Sequence, residues 1–265
     1  MKDCKVMTFN LRYRNEADGV NCFDFRREKI LSVIEQEQPD VIGFQEATGA
    51  MQDWLSKSLS EYVVLGYGRE KDFDGESNPI AFRRDRFLLH EFQQEWLSDE
   101  PQTPGSRWRD SDQSGCPRIC CRATLWDREL QTRFVFFNTH TDHRGKQARL
   151  LECEQLMNLV RACGLPFVMT GDFNDFPSSA PITHILNTHE EMGTVDATRE
   201  IAGTFHNFSM ERIASGQMAK IDYVFTNLPT DPARAYAVAD DDSCGHFYSD
   251  HNAVCAYVGL GRNND

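Results

Sequence analysis

The chain has 265 residues, of which 40% are hydrophobic, 26% charged and 11% aromatic, a balance that suits a packed globular protein and excludes wholesale disorder. Asp and Glu outnumber Lys and Arg by 41 to 28, and this net charge of −13 disfavours a non-specific grip on long nucleic acid while favouring cations. No apolar run approaches the roughly 20 residues of a membrane-spanning helix. The opening MKDCKVMTFN lacks the basic-then-apolar pattern of a secretory signal, and the nine cysteines show no Cys-x-x-Cys pair, so a cytoplasmic protein with free, buried thiols is expected.

In chain order, the first apolar run, Lys5–Phe9, is short, rich in β-branched and aromatic residues, and closes on Asn10. These traits predict a strand. A helix is expected next, capped at Asp24, carrying Ile30, Leu31, Val33 and Ile34, and stopped by Pro39. Val41–Phe44 predicts a strand closing on Gln45 and Glu46, and a helix is expected over Ala50–Leu59, with Met51, Trp54, Leu55 and Leu59 on one side. The stretch from Leu97 to Pro117 is polar and long for a connector, which marks it as a functional loop. A strand at Arg133–Phe137 closes on Asn138, Thr139 and His140. A helix over Lys146–Cys163 is bounded by Gly164 and Pro166, and a strand at Phe167–Thr170 closes on Gly171-Asp172-Phe173-Asn174. Two further strands are expected at Ile221–Phe225 and Ala253–Val258, the second preceded by Ser249-Asp250-His251. No repeat or linker divides the chain, so one domain spanning 1–265 is expected. Its pattern reads as α/β with at least one mixed sheet, packed sheet on sheet with helices outside.

The polar strand ends hold the chemistry. Asn10, Glu46, Asn138, His140, Asp142, Asp172, Asn174, Asp222, Asp250 and His251 would converge at one rim, where α/β sheets place their sites. Grouped carboxylates repel unless a cation or proton neutralises them, and hard oxygen donors such as Glu46, Asp172 and Asp250 suit Mg²⁺ or Mn²⁺. Histidines beside them suit acid–base work or contact with a phosphoryl oxygen. Taken singly, each piece also has a plain structural account. Gly-Asp-Phe-Asn makes a turn, Ser-Asp-His caps one, and Glu46 can end a strand in solvent.

In order, however, TFNLRY (8–13), GFQEAT (43–48), NTHTDH (138–143), TGDFND (170–175), KIDYVF (220–225) and SDHNAV (249–254) resemble the endonuclease/exonuclease/phosphatase superfamily. SNPIAFRRDRF (77–87), PRIC (117–120) and GTFHNF (203–208) resemble its mainly bacterial branch. The resemblance implies a four-layer, deoxyribonuclease-like sandwich of two packed mixed β-sheets flanked by helices. It implies that Asn10, Glu46 and Asp250 serve the metal, that Asp172 activates water, and that Asn174 orients phosphate and water. His251, oriented by Asp222, would act as acid/base or phosphate contact, with His140 as a second phosphate-side imidazole. The implied reaction is metal-assisted, in-line attack of water on a phosphomono- or phosphodiester. Arg118, Asn78, His143, His206 and Trp108 are candidate substrate readers. The acidic excess favours a small phosphorylated substrate over DNA or RNA, and a non-catalytic phosphate-binding protein is the remote alternative; neither a membrane nor a protein partner is implied.

Overall fold

The computed structural model describes residues 3–242 and 244–261. The chain runs β1 (Asp3–Asn10), α1 (Phe23–Glu37), β2 (Val41–Gln45), β3 (Ala47–Thr48), α2 (Gly49–Ser58), β4 (Tyr62–Leu65), β5 (Glu76–Ser77), β6 (Ile80–Arg83), β7 (Phe87–Trp96) and β8 (Ile119–Asp127). It continues through β9 (Thr132–His140), α3 (Lys146–Cys163), β10 (Phe167–Asp172), α4 (Ala180–Leu186), α5 (His189–Met192), β11 (Val195–Asp196), α6 (Met210–Ser215), β12 (Asp222–Thr226), β13 (Tyr236–Ala237) and β14 (Val254–Gly259). One six-stranded sheet has the order β13-β14-β1-β2-β6-β4 and the other β11-β12-β10-β9-β8-β7. β1–β2 and β9–β10 are parallel, while the flanking pairs are antiparallel, so both sheets are mixed.

Strand alternation explains the layering. In β1, Cys4 and Val6 face the other sheet, whereas Met7 and Phe9 meet Ile30 and Ile34 of α1 and Met51 and Leu55 of α2. In β9, Phe134 and Phe136 face inward, whereas Val135 and Phe137 meet Leu156, Met157 and Val160 of α3 and Ile182 of α4. The result is helix, sheet, sheet, helix.

Between the sheets, close to the rim, the apolar filling gives way to a polar strap. Asn138 donates to the carbonyls of Phe44 (2.7 Å), Asn78 and Pro79 (both 3.1 Å), and accepts from Gln45 Nε2 (2.7 Å) and Thr170 Oγ1 (3.1 Å). Here the sheets approach closely. A Cβ on Gly43 would lie 2.1 Å from Thr170 Oγ1 and 2.4 Å from Asn138 Oδ1.

Three expectations need adjustment. Asp24 does not cap α1; it sits in the first turn behind Cys22, where its charge still favours the helix start. The helix expected at Ala50–Leu59 runs one residue earlier, and the one at Lys146–Cys163 has the expected bounds. β7 and β8 were not anticipated. β7 lies at the sheet edge with most side chains outside the core, so its sequence lacks the apolar alternation that marks a strand. All nine cysteines are free, and six are buried. Among the described residues, no helix is long and apolar enough to cross a membrane.

Candidate active site

The parallel strands β1, β2, β9 and β10 end at one rim, and the antiparallel β12 and β14 begin there. Register does the rest: Asn10 pairs with Gln45, Asp172 with His140, and Asp172 with Asp222. A cavity of about 470 Å³ opens on this rim, lined by Glu46, His140, Asp172, Asn174, Asp250 and His251 together with Arg12, Arg69 and Arg118.

At its acidic end the side chains satisfy one another. Asn10 Nδ2 donates to Glu46 Oε1 at 3.1 Å and to Asp172 Oδ2 at 3.0 Å, and Asn10 Oδ1 accepts from the backbone N–H of Arg12 at 2.9 Å. The other Glu46 oxygen accepts from the Tyr13 N–H at 3.0 Å. Asp172 Oδ1 accepts from the Asn174 N–H at 2.9 Å, while Oδ2 lies 3.6 Å from Nε2 of both His140 and His251. His251 Nδ1 donates to Asp222 Oδ2 at 2.8 Å, and that oxygen also accepts from Thr204 Oγ1 at 2.5 Å. Phe205 packs on the His251 ring with centroids 4.8 Å apart.

Electrostatics sorts the roles. Burial raises the Asp172 pKa to about 7 against the pull of His251, with Asp222 and Glu46 adding to the rise. Burial disfavours charge on His251, yet Asp222 and Asp172 overcome it and hold this imidazole up at about 10. His140 moves the opposite way: burial and the Arg118 charge push it well below the ordinary value, so it is neutral. Asp250 is raised by burial and by Glu46. Too many carboxylates therefore share too little positive charge, and a cation would relieve them. Ligand atoms of Glu46, His140 and Asp172 lie within 4.8 Å of one another, as do those of Asp172, Asp222 and His251. The second group is already closed by the Asp222–His251 hydrogen bond. The first fits a divalent metal.

Four non-glycine residues of the cavity wall, Arg12, Glu46, Asn174 and Asn207, have φ between 49° and 60°. Such left-handed backbone is uncommon outside glycine and gathers at functional sites. Below them Arg26, fully buried on α1, donates to the carbonyls of Asn21 (2.6 Å), Leu11 (2.7 Å), Tyr248 (2.5 Å) and Arg12 (2.9 Å). It ties the loop after β1 to the Ser249-Asp250-His251 segment. Helical spacing places Arg26 on the face of Ile30 and Val33, the one signal in the sequence that it points inward. Arg69, Glu76 and Phe205 also line the cavity and carried no such signal.

The expected sites gather unequally. Asn10, Glu46, His140, Asp172, Asn174, Asp222, Asp250 and His251 come together, although Asn10 turns its amide hydrogens, rather than its oxygen, toward the carboxylates. Asp250 lies 3.9 Å from Arg12 Nε and is not among the Glu46, His140 and Asp172 group. Arg118 and His143 line the cavity. Asn78 does not; it belongs to the inter-sheet strap and donates to the Ile119 carbonyl at 3.0 Å. His206 is fully buried against Phe247, with its pKa driven down to about 4 by burial. Trp108 faces a separate depression with Gln102, Leu151, Gln155 and Leu159.

The model of the Endonuclease/Exonuclease/phosphatase family matches residues 7–251. The chain belongs to that family. It is accordingly a hydrolase of the phosphoesterase and nuclease class. Among solved structures, a family protein of Bacteroides vulgatus is 28% identical with a TM-score of 0.88, covering 98% of this chain and 100% of its own. A mannosyl-6-phosphatase of Bacteroides thetaiotaomicron is 24% identical, with a TM-score of 0.83 over 97% of this chain and 100% of the other. TDP2 of D. rerio, complexed with a single-strand DNA product, is 15% identical, with a TM-score of 0.72 over 98% and 100%. The protein L388 of Acanthamoeba polyphaga mimivirus is 25% identical over 179 residues, which is 64% of this chain and 66% of that relative, just under two thirds of its length.

Proposed function

We propose that the protein is a Mg²⁺-dependent phosphoesterase acting on a small phosphorylated substrate. The observation that carries the substrate size is the fate of the local arginine clusters in the sequence, at 12–14, 26–27, 83–86 and 107–109. A nuclease needs cations free to follow a phosphate backbone. Instead Arg12 pairs with Asp18 (2.9 Å), Arg14 with Asp24 (2.7 Å), Arg83 with Asp85 (3.4 Å), Arg86 with Asp40 (2.7 Å) and Arg109 with Glu100, while Arg26 is spent on carbonyls. The cavity volume of about 470 Å³ matches small-ligand pockets.

Glu46 and Asp172, with Asn10 and His140 beside them, would hold the ion, and Mn²⁺ shares the same donor preference. A bound divalent cation supplies Lewis-acid neutralisation of the scissile phosphate. Asp172 would take the proton of an attacking water, and the Asn174 N–H fixes the orientation of that carboxylate. His251, held protonated by Asp222, donates a charged hydrogen bond to a phosphoryl oxygen and can yield its proton to the leaving alcohol. Neutral His140 contributes a second polar contact on the opposite side of Asp172.

Turnover of p-nitrophenyl phosphate and bis-p-nitrophenyl phosphate, with Mg²⁺ and with EDTA, tests the assignment. Mg²⁺-dependent release is expected, with Asp172→Asn and His251→Asn each reduced by about 10²–10⁴-fold while thermal unfolding stays near the parent. Activity within a few-fold of the parent in both variants, or undiminished by EDTA, sinks the reading.

A further inference from the structure

The opposite end of the cavity is built from buried cations whose N–H groups are only partly satisfied. Strands β12, β10, β9 and β8 are consecutive neighbours, carrying Asp222, Asp172, His140 and, just before β8, Arg118. Two strand spacings separate Arg118 from Asp172, roughly 10 Å between main chains. Arg118 is only 3% exposed, yet its Nε and Nη1 make no hydrogen bond. The nearest carboxylate, Asp142, lies 3.6 Å from Nε and is already saturated by the N–H groups of Arg144 (2.9 Å), Gly145 (2.7 Å) and Ser114 (3.2 Å) and by the Ser114 hydroxyl.

Arg69 is 8% exposed; its Nη2 reaches Glu76 at 2.7 Å, but its Nε is likewise without a hydrogen-bond partner and sits 3.9 Å from Glu70. Arg118 Nη2 lies 2.8 Å from His143 Nδ1. A guanidinium has no acceptor, so Nδ1 must accept and the His143 proton resides on Nε2 as a further donor. Unpartnered N–H groups on a buried charge are costly, and proteins keep them where a ligand satisfies them.

We propose that Arg118, Arg69 and His143 form a second anion seat, so that the substrate is a phosphate ester whose alcohol carries another oxyanion, a carboxylate or a second phosphate. The proposal rests on the phosphoesterase reading for the scissile group alone. The acidic end takes the phosphate that is cleaved, and the basic end takes the group that stays on the alcohol. Bidentate acceptance of two planar N–H donors suits either oxyanion.

Matched probes separate the two sources: glucose 6-phosphate against 6-phosphogluconate, which adds a carboxylate, and fructose 6-phosphate against fructose 1,6-bisphosphate, which adds a phosphate. Calorimetric titration in a His251→Asn background with Mg²⁺ reads binding without turnover. At least one doubly anionic probe should bind about tenfold or more tightly than its partner, and adding Arg118→Met should bring that ratio to within about twofold of one; which pair shows the preference identifies the anion. Arg118→Lys should restore part of it, and thermal unfolding of each variant checks the fold. Equal binding of both members of both pairs, or a preference that survives Arg118→Met, overturns the seat. Absence of turnover on every ester by the parent bears only on the phosphoesterase reading, because the binding ratio is measured independently.

Discussion

The two ends of the cavity are made differently. At the acidic end, Asn10, Glu46, Asp172, Asp222 and His251 come from strand ends, and nearly every donor meets an acceptor. At the basic end, Arg69, Arg118 and His143 come from loops, and three guanidinium N–H groups meet none. On the proposed reading, the contrast places chemistry where the sheets enforce geometry and selectivity in the connecting segments.

The largest test of that division is at Asp222. Asp222→Asn removes the charge that holds the His251 proton while leaving a side chain of the same shape, so kcat should fall by about 10²–10³-fold with little change in KM. A fall confined to KM would show that the acidic end binds rather than reacts. Next comes Arg26, which braces that end from below through four carbonyls. Arg26→Met strands those acceptors and should destabilise the fold by about 3 kcal/mol, read from urea unfolding.

Glu152 probes the other end. It is fully buried, accepts from the Asp142 N–H at 2.8 Å, and burial lifts its pKa to about 8. The unfolded chain loses this proton near the ordinary 4.5, but the folded protein keeps it until about 8. Stability drawn from Glu152 is therefore greatest at low pH and declines across that window by about 1.4 kcal/mol per pH unit. Glu152→Gln carries no such proton, so its stability relative to the parent should climb at that rate from pH 5 to 8 and then level off. A difference that stays constant with pH would mean the carboxyl is ionised throughout. Smallest is Arg118→Met, which deletes a buried charge with two nitrogens lacking hydrogen bonds. Unlike Arg26→Met it should shift stability by less than about 1 kcal/mol, and an increase would fit a residue kept for binding at the expense of stability.

Most of the acidic end was legible in the sequence, because its residues follow apolar runs whose strand character fixes where each tip points. Asn10 after KVMTF, Asp172 after FVMTG and His140 after FVFFNT converge for that reason. The basic end was legible in part: Arg118 and His143 were candidate substrate readers, whereas Arg69 carried no signal. Arg69 sits in a loop whose course depends on tertiary contacts such as Trp96 Nε1 donating to its carbonyl at 2.6 Å. Trp108, flanked by Arg107 and Arg109, had the composition of a reader but faces away, since its part of the long loop folds over α3.

The close approach at Gly43 has a consequence for evolution as much as for geometry. The proposed metal site is split between two sheets, Glu46 and Asn10 on one, Asp172 and His140 on the other, so the gap between the sheets is itself an active-site dimension. With Thr170 Oγ1 2.1 Å from where a Cβ would stand, glycine at 43 acts as the spacer that sets this gap. A larger residue there must displace Thr170 or Asn138, or move the sheets apart. A position with no functional group is thereby bound to function as tightly as the carboxylates it brings together.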